Sequence, residues 1–189
     1  MDASPSRQGR IEVVCGPMFA GKSEELHRRL RRALYAKQHV LLVTRDTRHG
    51  KGVFVTHDGR ELESRYVETA EDIFPLICDN SINVQVLGID EGQFFGDGLK
   101  DACSNLAGLG VRVIVSGLDM DFQETPFQNM ASLMGVAEEV DKLTAICVEC
   151  GAKATRSYRK VASKERVLEG AGDEYDPLCR ACYVSKQAL

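Results

Sequence analysis

An α/β fold with a mostly parallel sheet is predicted by three observations along this 189-residue chain. Short apolar runs alternate with stretches whose apolar positions recur at helical spacing. The first run leads directly into a glycine-bearing loop, GPMFAGKS at Gly16 to Ser23, between strand and helix as a phosphate loop requires. Later runs end in acids or small polar residues, at the strand ends where parallel sheets gather their ligands.

The first strand is expected at Ile11, Val13, Val14 and Cys15. The loop after it matches the pattern of glycine, four residues, glycine, lysine and a hydroxyl residue. Its members Gly16, Pro17, Met18, Phe19, Ala20 and Gly21 lie where backbone N–H groups wrap a phosphate, and the helix start adds positive dipole. Lys22 adds a mobile charge, and Ser23 can hold magnesium. A helix is predicted from Glu24 to Gln38, with Leu26, Leu30, Ala33 and Leu34 on one face and Arg28, Arg29, Arg31, Arg32 and Lys37 on a face read as solvated.

Val40 to Thr44 suits a strand buried on both sides. The segment 45–60 turns polar and glycine-bearing, placing Asp46, Arg48, His57 and Asp58 where loops after parallel strands collect chemistry. A short strand is expected near Arg65 to Glu68. Thr69 then opens a helix, with its side chain capping N–H groups near Asp72 and Pro75 shortening it.

Val84, Val86, Leu87 and Ile89 build an apolar run ending in Asp90 and Glu91. This arrangement sets a carboxylate beside a phosphate-loop magnesium. Neighbouring residues in a strand point to opposite faces, so Asp90 is expected at the metal and Glu91 at the reacting group. There Glu91 accepts a proton from a hydroxyl or orients a water. Gln93 offers an amide for a base edge, with Phe94 and Phe95 beside it to stack. A crossover helix over 97–109, a strand from Val111 to Val115 ending at Ser116 and Gly117, and a helix from about Pro126 to Val136 complete the alternation.

Cys147 with Cys150, and Cys179 with Cys182, form two C-x-x-C pairs around the long segment 151–178. Four thiolates in such pairs read as a tetrahedral structural zinc site. Two redox motifs in this arrangement would be unusual. Cys15, Cys78 and Cys103 fall in apolar settings and are expected to be inert. The clamped segment contains KATRSYRK and LEGAGDEYDP, and reads either as a substrate lid or as a partner-binding arm.

Composition bounds the partners. The chain is 43% hydrophobic and 28% charged with a net charge of −4 and a pI near 5.6, which gives no global attraction to nucleic acid or anionic membrane. A free small molecule is the expected partner. No apolar run is long enough to span a bilayer, and the polar start MDASPSRQGR reads as a flexible tail, residues 1–10, on a cytoplasmic protein.

In order, GPMFAGKS, DTR at Asp46 to Arg48, IDEGQFF at Ile89 to Phe95, GLDMDF at Gly117 to Phe122, CVEC and CRAC together resemble the type II thymidine kinases over about residues 10–185. The resemblance implies a RecA-like phosphate-loop core over 11–143 and a small zinc-binding domain over 144–189 with a lasso loop at 151–178. It also implies transfer of phosphate from ATP to the 5′-hydroxyl of thymidine or deoxyuridine. Glu91 matches the family's catalytic base, Lys22 and Ser23 the phosphate and magnesium residues, and Asp46 and Arg48 residues near the phosphates. Met18, Phe94, Leu118, Phe122, Phe127, Ser157 and Tyr175 match positions around the base. Feedback inhibition by thymidine triphosphate and a homotetramer are further implications. Ala20 and Ser157 stand where relatives often carry serine and threonine. The alternative is a zinc-ribbon ATPase that grips nucleic acid with its arginine-rich helix and KATRSYRK, against which the acidic net charge speaks.

Overall fold

The computed structural model describes residues 8–45, 53–55, 61–78, 83–163, 165–166 and 172–188. Its four central strands are β1 (Arg10–Gly16), β2 (Val40–Thr44), β5 (Val86–Asp90) and β6 (Arg112–Leu118), each close to wholly buried. Burial on both faces is why they read as near-continuous apolar runs. They are flanked by β3 (Val53–Val55), β4 (Glu61–Tyr66) and β7 (Glu139–Lys142) in the order β3-β4-β2-β5-β6-β1-β7. All pairs run parallel except the outermost, β3 with β4.

Helices cover both faces. On one, α1 (Lys22–Tyr35) lays Leu26, Leu30 and Ala33 on Leu42, Val86 and Ile114. On the other, α2 (Ile73–Cys78), α3 (Leu99–Gly108) and α4 (Gln128–Val136) bury Ile73, Leu99, Leu106, Met130 and Leu133 against Val13, Val43, Leu87, Ile89 and Val113. Registry then fixes the site. Gly16 pairs with Leu118 and Thr44 with Asp90, so the glycine loop, the acid pair and the GLDMDF segment emerge on one edge of the sheet.

The carboxyl-terminal segment packs around a separate small cluster of Ala145, Cys147, Ala154, Leu178 and Tyr183. Its elements are β8 (Ala145–Ile146) with β9 (Lys153–Ala154), β10 (Arg156–Arg159) with β11 (Tyr175–Leu178), and α5 (Arg180–Gln187).

Several boundaries differ from those the sequence predicts. Helix α1 begins at Lys22, because the turn into it is made by left-handed Gly21 (φ 77°). Pro126 lies outside α4 and bridges Met120 across the preceding loop. Thr69 is not a capping acceptor: its N–H and hydroxyl both donate to the Asp72 carboxylate, at 3.2 and 2.7 Å. The edge strands are not announced either: β3 is only three residues long, and β7 is polar and mostly exposed.

The arginine face of α1 is the largest departure. Arg28, Arg31, Arg32 and Lys37 are exposed, but Arg29 is buried. It donates to Glu12 at 2.8 Å and Glu25 at 2.8 Å, approaches Glu139 at 2.9 Å, and also donates to Asp141. Glu12, on β1 beneath it and 1% exposed, also accepts from Arg10 and Arg112. Burial alone would raise the Glu12 carboxyl; the hydrogen bonds from Arg112, Arg10 and Arg29 outweigh it and hold the pKa at about 2. Removing one member of such a network strands buried charge. Glu12→Gln is therefore expected to cost about 3–5 kcal/mol in urea unfolding at neutral pH. Because the folded pKa lies below the ordinary 4.5, the wild-type contribution is complete above that value and is lost as pH falls towards about 2. A variant as stable as wild type at pH 7 would remove this role.

Candidate active site

The glycine loop closes tightly against the rest of the sheet edge. Gly16 (φ 144°) has no room for a side chain, since a Cβ would lie 2.5 Å from the Leu143 carbonyl oxygen. Phe19 (φ 64°) and Gly21 (φ 77°) are both left-handed, so the loop wraps before α1 begins. Lys22 folds back to donate to the Pro17 carbonyl at 2.8 Å. Burial pulls its ammonium below the ordinary range, while the charges of Glu91, Asp90 and Asp119 pull it back up. Three carboxylate charges thus act on that group, one of them not expected from the sequence.

Asp90 ends β5, and one of its oxygens, Oδ1, is a junction. Ser23 Oγ donates to it at 3.2 Å, the Glu91 N–H donates at 3.0 Å, and Ser116 Oγ from β6 donates as well. Ser116 was not singled out as a site residue. It reaches Asp90 only because β6 lies between β1 and β5, which no local pattern announces.

Glu91 leaves the strand altogether. The expected pleat alternation does not separate the two acids: Glu91 is left-handed (φ 57°, ψ 43°) and caps a 3₁₀ turn, Gly92–Phe94. A non-glycine residue there carries backbone strain on the order of 1–3 kcal/mol, of the kind that clusters at functional sites. The turn is clamped by Asn129 Nδ2 on the Gly92 carbonyl at 2.9 Å and by Arg45 on the Phe94 carbonyl at 2.5 Å. Gln93 is buried, donating to Glu91 Oε2 at 2.5 Å and accepting from the Leu118 N–H at 2.9 Å. Its amide is thus engaged at both ends within the protein.

The residues matched to a base pocket fall into linked groups. The Met18 N–H donates to Ser157 Oγ at 3.0 Å, tying the glycine loop to β10. Phe122 and Tyr175 flank Arg159, whose guanidinium lies 3.7 Å from the first ring centre and 5.3 Å from the second. Arg159 also donates to Tyr175 Oη at 2.6 and 3.0 Å and to the carbonyls of Glu165 and Arg166 at 2.5 and 2.9 Å. Arg166 in turn covers Phe127 at 4.4 Å and donates to Asp121 at 2.7 Å and to the Pro126 carbonyl at 2.9 Å. Phe94 and Leu118 are half-buried on the Glu91 side. Asp46 and Arg48 lie outside the described residues.

Arg159 and Arg166 are functional candidates that reading the sequence missed as individuals. KATRSYRK stood out only as a basic patch, yet Arg156 is buried on Glu124 at 2.8 Å and Arg159 is buried between rings. The last new member is Asp119, buried with its Oδ2 in no well-formed hydrogen bond but 2.7 Å from the Lys142 ammonium.

Four sulfurs, those of Cys147, Cys150, Cys179 and Cys182, lie within 4.8 Å of one another, with Cys150 and Cys179 3.7 Å apart. A tetrahedron with Zn–S bonds of about 2.3 Å has edges of about 3.8 Å. The cluster is therefore compatible with a structural zinc. Cys15 and Cys103 are both fully buried, and burial pushes their thiols up to about 11 and about 12, as inert cysteines require. The side chain of Cys78 lies outside the described residues. No helix of the described residues is long and apolar enough to cross a membrane.

Among solved structures, the flagellar accessory protein FlaH from Methanocaldococcus jannaschii shares the fold at a TM-score of 0.52 and 15% identity, over 77% of this chain and 75% of that one. Sequence relatives are much nearer. The thymidine kinase of Bacteroides fragilis (strain YCH46) is 47% identical over 179 residues, 94% of this chain and 88% of that protein. The thymidine kinase of Roseiflexus sp. (strain RS-1) is 45% identical over 190 aligned positions, 95% of this chain and 97% of that protein. The family model "Thymidine kinase" matches residues 9–183. With an intact phosphate loop, a carboxylate pair beside it and this likeness along nearly its whole length, the chain belongs to the thymidine kinase family.

Proposed function

We propose that the chain transfers the γ-phosphoryl group of ATP in line to the 5′-hydroxyl of thymidine, and of deoxyuridine, giving the monophosphate for nucleoside salvage. The observation that carries the residue assignments is the divergence of two adjacent carboxylates. Asp90 is tied to Ser23 of the glycine loop, while the backbone reversal at Glu91 sends the second acid to Gln93.

Several roles follow. The loop N–H groups and Lys22 bind and orient the phosphates, with Asp46 and Arg48 nearby. The Ser23 hydroxyl and Asp90 carboxylate are hard oxygen donors, which suits magnesium. Bound there, magnesium supplies charge neutralisation of the triphosphate. Glu91 accepts the 5′-hydroxyl proton at its carboxylate. Met18, Phe94, Leu118, Phe122, Phe127, Ser157 and Tyr175 enclose the thymine, with the lasso 151–178 excluding water. The four cysteines hold zinc and so anchor both ends of that lasso. Positioning and electrostatics then supply most of the catalysis.

A homotetramer in the cytoplasm, inhibited by thymidine triphosphate, completes the reading. Sedimentation and inhibition kinetics test the assembly and the inhibitor. Incubation with magnesium, ATP and each nucleoside separately is expected to yield thymidine and deoxyuridine monophosphates. ATP hydrolysis stimulated by DNA, with no nucleoside product, would overturn the assignment.

A further inference from the structure

We propose that Gln93 is a positioning residue that holds the Glu91 carboxylate in its reactive orientation, and that it does not read the nucleoside base. The inference rests on the assignment of Glu91 as the base.

The geometry is specific. A backbone N–H can meet only the carbonyl end of an amide, so the Leu118 N–H at 2.9 Å fixes which way Gln93 faces. Its NH₂ group is thereby turned onto Glu91 Oε2, 2.5 Å away. One oxygen of Glu91 is thereby engaged. An amide paired to a base edge would have only its second N–H and second lone pair to offer, from a side chain that is 6% exposed.

The surroundings enforce the same orientation. Gln93 is 6% exposed, and its carbonyl oxygen occupies the space a side chain on Gly117 would take, 2.8 Å from the ideal Cβ position. Gly117 is a β6 residue in register with Cys15 of β1, at the entrance to the glycine loop. Gln93 thus links the end of β6, next to the loop strand, to a turn whose left-handed residue is Glu91. The Asn129 and Arg45 bonds hold the carbonyls of that turn, whereas Gln93 reaches the carboxylate itself.

The test separates the donor from the fold. Gln93→Glu keeps an acceptor for Leu118 and replaces the neutral donor with a carboxyl that repels Glu91 or shares a proton with it; Gln93→Met has similar length and removes both bonds. Each is expected to lower kcat about 10- to 100-fold, the scale of a lost hydrogen bond to a charged group. The KM values for thymidine and ATP should move by less than about threefold. Both variants are measured below their own melting transitions. The decisive comparison combines each with Glu91→Gln, where the Gln93 substitution should cost no more than about twofold further.

Additive losses in the double variants would overturn the proposal, as would a raised thymidine KM or altered nucleoside preference at unchanged kcat. So would wild-type kcat in both single variants. Near-normal turnover of Glu91→Gln alone would sink the base assignment first, and the positioning role with it.

Discussion

Glu91→Gln is expected to lower turnover about 10²- to 10⁴-fold, the usual contribution of a positioned general base, while leaving ATP affinity close to wild type. The substitution is nearly isosteric. Its amide can still present an oxygen to Gln93, so the contact now 2.5 Å long need not be lost. The turn is set by backbone and neighbours, with Phe94 N–H on the Glu91 carbonyl at 3.1 Å and Asn129 on Gly92. What disappears is a carboxylate able to take the 5′-hydroxyl proton. In the proposed mode ATP meets the loop, Lys22, Ser23 and Asp90, all of which remain; Lys22 loses the Glu91 charge but keeps those of Asp90 and Asp119. Steady-state kinetics and titration calorimetry of ATP binding separate the two effects. Turnover within a few-fold of wild type would remove the assigned role.

Residues whose job is local were legible in the sequence. The phosphate loop is a contiguous backbone device, so its pattern announces both its place and its neighbours; β2 is found at Val40–Thr44, as predicted, because burial on both faces leaves a continuous apolar run. Asp90 was legible for the same reason, as the end of such a run. Glu91 was assigned for a partly wrong reason. Its direction comes from a left-handed reversal after the strand, a choice made by the Asn129 and Gly92 contacts from another element.

Long-range partners were not legible. Arg29 looks like its exposed neighbours until β1 and β7 bring Glu12, Glu139 and Asp141 beneath it. Nothing local announces that the Gln93 carbonyl accepts from the Leu118 N–H. The burial of Arg29, Arg156 and Arg159 bears on the rival nucleic-acid reading. Part of its proposed grip is spent inside the protein: the remaining arginines of α1, Lys153 and Lys160 are exposed, but the KATRSYRK arginines serve Glu124, Tyr175 and the lasso carbonyls. A basic patch binds phosphate backbone only with charges that face solvent.

The largest structural effect is expected from the cysteine cluster. Strands β8 and β9 contribute two residues each, far too little pairing for independent stability. The buried cluster beside them amounts to Ala145, Cys147, Ala154, Leu178 and Tyr183. Such a core needs a further constraint, and a structural zinc supplies roughly 10–16 kcal/mol in small metal-folded domains. The metal would also fix both ends of the lasso: β10 begins six residues after Cys150, and β11 ends at Leu178, next to Cys179. Through those strands it would place Ser157 on the glycine loop and Tyr175 on Arg159. Cys147→Ser is therefore expected to lose its bound zinc, leave residues 144–189 open to protease, and reduce thymidine phosphorylation by at least about 100-fold, since misplacement of substrate-positioning groups costs on that scale. ATP binding by the core should survive, because the glycine loop and Asp90 are built from β1, α1 and β5. Cys103→Ala, at a buried thiol in an apolar setting, should keep the metal and is the control. Metal analysis, limited proteolysis and nucleotide binding read the three outcomes separately. Full protease resistance and full activity after complete removal of zinc would sink the assignment of the cluster as the anchor of the lasso.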